Sequence, residues 1–221
     1  MQFNMFDSDA KPTQYQSHDD IITAMHALTD DPLATHGTNM VIYRGNPGAD
    51  LMIVGEAPGA NEDKQGKPYV GRSGKLLDKI LESVGFDSQN GVYVSNSAFR
   101  RPPENRDPSP SEMAYYKPYL MELIRAVNPK VIVLSGRISM WQVLGKERLG
   151  AISKIRITKM RGTWHEVDGR WVMPVFHPAY LLRNPSRKPG SPKALMWQDA
   201  QEIRRKYDEL GGRQDLLLPT T

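Results

Sequence analysis

Leu51-Met52-Ile53-Val54, followed by Gly55-Glu56-Ala57-Pro58-Gly59-Ala60-Asn61-Glu62-Asp63, is the stretch whose reading decides the fold. Four consecutive apolar residues and then a glycine- and proline-bearing turn read as a strand covered on both faces. The pattern returns in Val92-Tyr93-Val94, in Val131-Ile132-Val133-Leu134 and in Trp171-Val172-Met173-Pro174-Val175-Phe176. Helical patterns stand between these runs. Ser73 is placed to cap a helix whose Leu76, Leu77, Ile80, Leu81 and Val84 form one stripe, with Gly85 as its stop. Ser109-Pro110-Ser111-Glu112 is a capping box with proline at the first helical position, and Pro118 predicts a kink or a broken first segment. A last helix from Pro192 to Leu210 turns Leu195, Met196, Ile203 and Tyr207 inward. Strand–helix alternation predicts an α/β fold, three layers α/β/α around a central, mostly parallel four-stranded sheet. One domain is expected over 18–210, with 1–17 a flexible N-terminal segment and 211–221 a flexible tail.

Composition narrows the function classes. The chain has 221 residues and no cysteine, which excludes disulfides, thiolate nucleophiles and Cys-ligated zinc or iron–sulfur clusters. Net charge is +4 and the isoelectric point is about 9.2, which suits a polyanionic partner without requiring one. No apolar run approaches the ~20 residues of a membrane span, and Met1 to Ser17 shows no secretory pattern. An intracellular protein with no membrane partner is expected. His18, His26, His36 and His165 share no metal-ligand spacing and read as surface or internally satisfied histidines.

In open parallel sheets the ligand site lies beyond the carboxyl ends of the strands. Beyond the first strand, Glu56, Glu62 and Asp63 make a poor phosphate cradle, and neither GxGxxG nor GxxxxGK[ST] is present. That loop is either a solvated acidic turn or a place where carboxylates orient a water and stabilise growing positive charge. In Gly66-Lys67-Pro68-Tyr69-Val70-Gly71-Arg72-Ser73-Gly74, Tyr69 is a core aromatic or a platform for a planar ring. The start of the helix there offers free amides to a phosphate. Asn96 ends the second strand and either stabilises its own turn or reads a base edge with its paired donor and acceptor. Arg100, Arg101 and Arg106 follow, as phosphate partners or as a solvated basic loop. After the last strand, His177 opens Pro178-Ala179-Tyr180-Leu181-Leu182-Arg183, where two leucines wedge into a base stack or pack beneath the loop.

Taken together, these segments resemble family-4 uracil-DNA glycosylases across roughly residues 45 to 208. The resemblance rests on Gly55-Glu56-Ala57-Pro58-Gly59, on Gly66 to Arg72, and on Asn96 with Arg101-Pro102-Pro103-Glu104-Asn105-Arg106. Arg161-Gly162-Thr163-Trp164 and His177 to Pro185 complete it. It implies hydrolysis of the N-glycosidic bond of uracil flipped out of DNA, with uracil-containing DNA as partner, free uracil as product and a monomer; no cofactor is expected, because the chain has no cysteine. Glu56 then lies near the attacking water, Glu62 matches a second acidic position, and Tyr69 replaces a phenylalanine that stacks on the base. Asn96 pairs with the uracil edge, His177 contacts uracil O2, and Leu181 or Leu182 fills the gap in the duplex. Arg72, Ser73, Arg101 and Arg183 fall to the DNA backbone.

The sequence departs from that family in one respect. Its members typically carry a four-cysteine iron–sulfur cluster, and here Arg100 and Tyr116 stand at the third and fourth cysteine positions, with the first two near Leu28 to Asp31. No metal is expected; Tyr116, Arg100 and the N-terminal helix should pack or hydrogen-bond in its place. Ala57 stands where family-1 enzymes have aspartate, which leaves the water to Glu56, Glu62 and backbone. The alternative on the same fold is a non-catalytic DNA-binding sensor of damaged bases. A relative that traps the sugar covalently is disfavoured, because Ala60 to Gly66 has no histidine and no inserted basic loop.

Overall fold

The structure, a computed structural model, describes residues 15–219. Its strands are β1 (Tyr43–Gly45), β2 (Leu51–Gly55), β3 (Tyr93–Asn96), β4 (Val131–Ser135), β5 (His165–Val167) and β6 (Arg170–Val175). The helices are α1 (His18–His26), α2 (Ala60–Gln65), α3 (Arg72–Ser83), α4 (Pro110–Val127), α5 (Arg137–Leu144), α6 (Lys146–Leu149), α7 (Ile157–Met160), α8 (Pro178–Arg183) and α9 (Pro192–Glu209). The sheet order is β1-β3-β2-β4-β6-β5. The inner four strands are parallel and the two edges antiparallel. The expected α/β class holds, but the sheet has six strands rather than four. The two added strands are three residues each, too short for an alternating pattern to stand out in sequence.

Strand side chains alternate between two cores, as a period of two requires. Met52, Val54, Ile132, Leu134 and Val172 pack with Ile21 and Met25 of α1, Tyr116, Leu120 and Ile124 of α4, and Met140 of α5. Leu51, Ile53, Val131, Val133, Met173 and Val175 pack on the other face with Leu77 and Leu81 of α3, Leu181 of α8, and Met196, Ile203 and Tyr207 of α9. These are the three layers expected.

Several local readings are refined. Gly71, not Ser73, is the residue before α3, and the helix ends at Ser83, with Gly85 beyond it at φ 86°. The Ser109–Glu112 capping box forms, and α4 then runs unbroken through Pro118. Pro118 and Ala114, whose carbonyl loses its donor, both face solvent, where water can replace the missing bond. Residues 211–218 pack against the domain. Arg213 N donates to Asp50 Oδ2 at 2.9 Å, Leu216 is buried, and Leu217 bridges Phe86. Of the proposed N-terminal segment, residues 1–14 lie outside the described residues. Among the described residues no helix is long and apolar enough to cross a membrane.

At the positions where the resemblance implies cysteines, this chain builds a polar knot. The buried Asp31 carboxylate accepts from Arg100 Nε at 2.7 Å, from Leu33 N at 3.1 Å and from the Tyr116 hydroxyl. Arg100 also donates to Leu28 O at 3.0 Å and to Thr38 O. The knot ties the chain after α1 to α4 and to the start of the loop that runs into the cleft. Without cysteine there are no thiolates for a cluster, and among the described residues no group of three metal-ligating side chains converges. An ion pair of this kind is strongly destabilising to break, because one charge is left buried and unpaired. Asp31→Ala is therefore expected to lower unfolding stability by about 3–5 kcal/mol in urea titrations. A loss below about 1 kcal/mol would show that the knot is not holding these segments.

Candidate active site

Because β3, β2, β4 and β6 are parallel, their carboxyl ends open on the same side. Gly55 is in register with Asn96 across β2 and β3, and Ser135 with Val175 across β4 and β6. The residues that follow, Glu56, Gly136 and His177, therefore gather at one edge of the sheet. There a cleft of about 790 Å³ is lined by Glu56, Glu62, Tyr69, Asn96, Asp107 and His177, among others.

The floor is tightly built. A Cβ on Gly55 would fall inside van der Waals contact with both Asn96 Oδ1 and the Tyr69 ring and hydroxyl. Only glycine lets those two side chains approach the strand end so closely. Tyr69 itself has φ 56°, a strained value for a bulky residue that its surroundings must enforce. Three contacts do so. Glu62 Oε1 accepts from Val70 N at 3.0 Å and Gly71 N at 2.8 Å. The buried Arg44 donates to Pro68 O at 3.1 Å, to Ser88 O at 2.8 Å and to Asp78 Oδ1 at 2.5 Å. Gly74 leaves room for the Tyr69 carbonyl that any Cβ would strike. Glu62 is thus bonded to the backbone of the loop that carries Tyr69, and Arg44, on a short edge strand, gave no sequence signal of this role.

Among the described residues the buried Tyr69 hydroxyl has no hydrogen-bond partner of normal geometry. Burial raises its pKa, so it stays protonated, although the Ser135 side chain, likewise unpartnered, acts to lower it. Removing an unpartnered buried hydroxyl relieves a desolvation cost. Tyr69→Phe is expected to leave the site working within about twofold and to raise stability by up to about 1 kcal/mol, read from single-turnover rates and urea melts. A large loss of rate would show that the hydroxyl has a ligand to meet.

His177 sits at the N-cap of α8, its ring centroid 5.7 Å from that of Tyr69. Ala179 N donates to Nδ1 at 3.1 Å, which leaves the proton of the neutral ring on Nε2. Burial, and then the nearby Arg183 charge, push its pKa down to about 4, against a raising effect of Glu62. At neutral pH it is an uncharged donor. Glu56 is shifted the other way, to about 7, by burial first and then by the neighbouring Asp107, with Arg137 opposing. A base poised near neutrality faces a neutral hydrogen-bond donor across one cleft.

The remaining predicted residues divide. Leu182 is 41% exposed and lines the cleft mouth, whereas Leu181 is 1% exposed and belongs to the core beneath it. α8 turns the two leucines to opposite sides, so Leu182 is the one that reaches the cleft. Arg72 and Ser73, at the first turn of α3, and Arg183 line the same mouth. Arg101 does not line it; its Nε donates to Asn105 Oδ1 at 2.8 Å. The Arg161–Trp164 stretch is structural: Arg161 Nε donates to Asp199 at 2.7 Å and Trp164 Nε1 to Glu202 at 2.8 Å, tying α9 to the segment before β5.

The sequence pattern of the Uracil DNA glycosylase superfamily matches residues 42–201. The chain belongs to the uracil DNA glycosylase superfamily. It is 42% identical over 161 residues to a type-4 uracil-DNA glycosylase of Thermotoga maritima, covering 71% of this chain and 79% of that one. It is 37% identical to type-4 enzymes of Sulfurisphaera tokodaii, over 76% of this chain and 74% of that one, and of Archaeoglobus fulgidus, over 77% and 85%. The matched span of the superfamily includes the ends of β2, β3, β4 and β6 and therefore the whole cleft. Asp107, which faces Glu56, was missed in the sequence because one aspartate in a basic, proline-rich loop carries no periodic or motif signal.

Proposed function

We propose that this chain is a monofunctional uracil-DNA glycosylase acting as a monomer, which flips uracil out of DNA and hydrolyses its N-glycosidic bond. The observation that carries the reading is the convergence of His177, Glu56 and the strand-end amide Asn96 in one cleft, where burial disfavours the charged form of both the histidine and the carboxylate. The bond cannot be reached inside the stack, so the base must leave it. Tyr69 offers its ring to the flipped base, and Asn96 presents donor and acceptor to the uracil edge. Cytosine, with that edge reversed, meets like groups. As the bond breaks, its electron pair passes to uracil N1 and charge spreads to O2, where His177 Nε2–H donates. On the sugar side Glu56 holds a water; its oxygen bonds to C1′ and its proton passes to the carboxylate. The uracil anion takes up a proton, Glu56 gives one up to solvent, and an abasic site and free uracil are the products.

Glu62 acts in this scheme by holding the Tyr69 loop. Leu182 enters the gap in the duplex, while Arg72, Ser73 and Arg183 meet phosphates, with the first amides of α3 adding donors. Incubation with uracil-containing DNA should release free uracil, detected by mass spectrometry, with an equal yield of aldehyde-reactive abasic sites. Tight binding to uracil-containing DNA with no uracil released would instead support the non-catalytic sensor.

A further inference from the structure

One wall of the cleft is the strap between β3 and α4, of which Pro102, Asn105, Arg106 and Asp107 line the cavity. The strap is bent in a way its residue types disfavour. Glu104 and Asn105 both have φ 55°, in the left-handed region that asparagine tolerates and glutamate does not favour. Two such residues in succession persist only where the surroundings over-determine the turn, and strain of this kind gathers at functional sites.

The ties that enforce the turn are few. Asn105 N donates to Pro102 O and Arg106 N to Pro103 O, each at 3.1 Å. Arg101 Nε donates to Asn105 Oδ1 at 2.8 Å. On the far side Arg106 grips both oxygens of Glu112, Nη1 to Oε2 at 2.8 Å and Nη2 to Oε1 at 2.6 Å, and Nη1 also donates to Asp107 O at 3.0 Å. Glu112 is buried in α4, and its Oε2 is fixed by Ser109 N at 2.7 Å. A two-point contact between guanidinium and carboxylate sets orientation as well as distance. Arg106 stands in a basic run that suggested a phosphate partner, yet both of its terminal nitrogens are spent inside the protein.

We propose that Arg106 is a positioning residue and not a phosphate contact: through Glu112 it clamps the Glu104–Asp107 turn as the wall against which the extruded nucleotide is held for reaction. The inference rests on the uracil-excision reading above. A wall displaced by about an ångström misplaces reacting groups, which costs up to about 10²-fold in rate.

The two roles for Arg106 require opposite behaviour of its partner. Glu112→Gln keeps an oxygen for the Ser109 amide but loses the charge and one of the two acceptors for Arg106. In the full chain, Arg106→Gln and Glu112→Gln should each slow single-turnover uracil excision at saturating DNA by about tenfold. The double variant should be no slower than either single one. Dissociation constants for uracil-containing DNA should stay within about twofold, with their salt dependence unmoved. Arg106→Lys, a point charge without the two-point grip, should recover only part of the rate. Hydrogen exchange at the amides of residues 105 and 106, which close the turn, should quicken by about tenfold in both single variants while β2 and β4 exchange as in wild type. A phosphate contact would show instead as weaker binding in Arg106→Gln alone, with the salt slope reduced by about one, a wild-type rate once bound, and Glu112→Gln binding no worse than wild type. That pattern, or exchange at the turn unchanged in both variants, would overturn the proposal. If wild type released no uracil the functional reading would fail, and the exchange and salt-slope measurements would still decide whether Arg106 clamps the turn.

Discussion

Glu56→Gln is expected to slow uracil excision by roughly 10²- to 10⁴-fold and at the same time to make the protein more stable above neutral pH. The first effect follows from loss of the group proposed to take the water's proton; the amide still occupies the space and accepts a hydrogen bond but is not basic enough to take a proton. The second follows from linkage. Glu56 is held protonated in the folded state up to about pH 7, against an ordinary value of 4.5. A raised folded pKa gives stability that is fully present below the unfolded pKa and lost as pH rises through the folded one. Above neutrality wild type carries the ionised carboxylate in a site that disfavours it, at a cost of about 3 kcal/mol. Glutamine removes that cost. Urea melts of the two proteins should therefore converge near pH 4 and separate at about pH 8, with the variant the more stable. Equal stability at both pH values would mean that Glu56 titrates as an ordinary surface carboxylate.

His177→Ala should slow excision by roughly 10²- to 10³-fold, the usual consequence of removing one donor from a developing anion. The bond that Ala179 N makes to Nδ1 fixes the tautomer, so the ring can donate from Nε2 without ever being charged at working pH. The loss should accordingly be the same at pH 6 as at about pH 8, unlike the loss in Glu56→Gln. His177→Gln, which keeps a donor, should recover part of the rate. The depressed pKa, about 4 against 6.5, also has a stability sign. The stability that the neutral ring contributes is present above about pH 6.5 and is lost as pH falls toward 4, because the unfolded chain binds the proton first. A rate loss in His177→Ala that vanished at either end of the pH range would contradict a neutral donor.

The parts of this architecture that were legible in the sequence are those with a repeating or capped signature. The four inner strands showed as apolar runs, α4 by its capping box and α9 by its inward apolar residues, because burial and capping leave marks that local chemistry enforces. The rule that ligands gather at strand ends brought Glu56, Asn96 and His177 forward before any coordinates. The two edge strands were invisible, since three residues carry no usable period. Asp31, Arg44 and Asp107 were missed as partners for another reason: each acts through a contact with residues distant along the chain, which only the fold creates. The choice between Leu181 and Leu182 depended on which way α8 turns. Arg100 and Tyr116 were identifiable as substitutes for a metal site, but their shared partner, one buried aspartate, required the packing of α1 against α4.

On the proposed mechanism this cleft excises uracil and the strand-end amide chooses it. The direct measurement is base release from a labelled oligonucleotide containing one uracil, read as strand cleavage after hot alkali, with matched cytosine and thymine substrates and with Asn96→Ala beside wild type. The account predicts cleavage by wild type at uracil only, and a strong loss in Asn96→Ala. Cleavage at cytosine or thymine as fast as at uracil, or no cleavage on either single- or double-stranded uracil substrate, would contradict it.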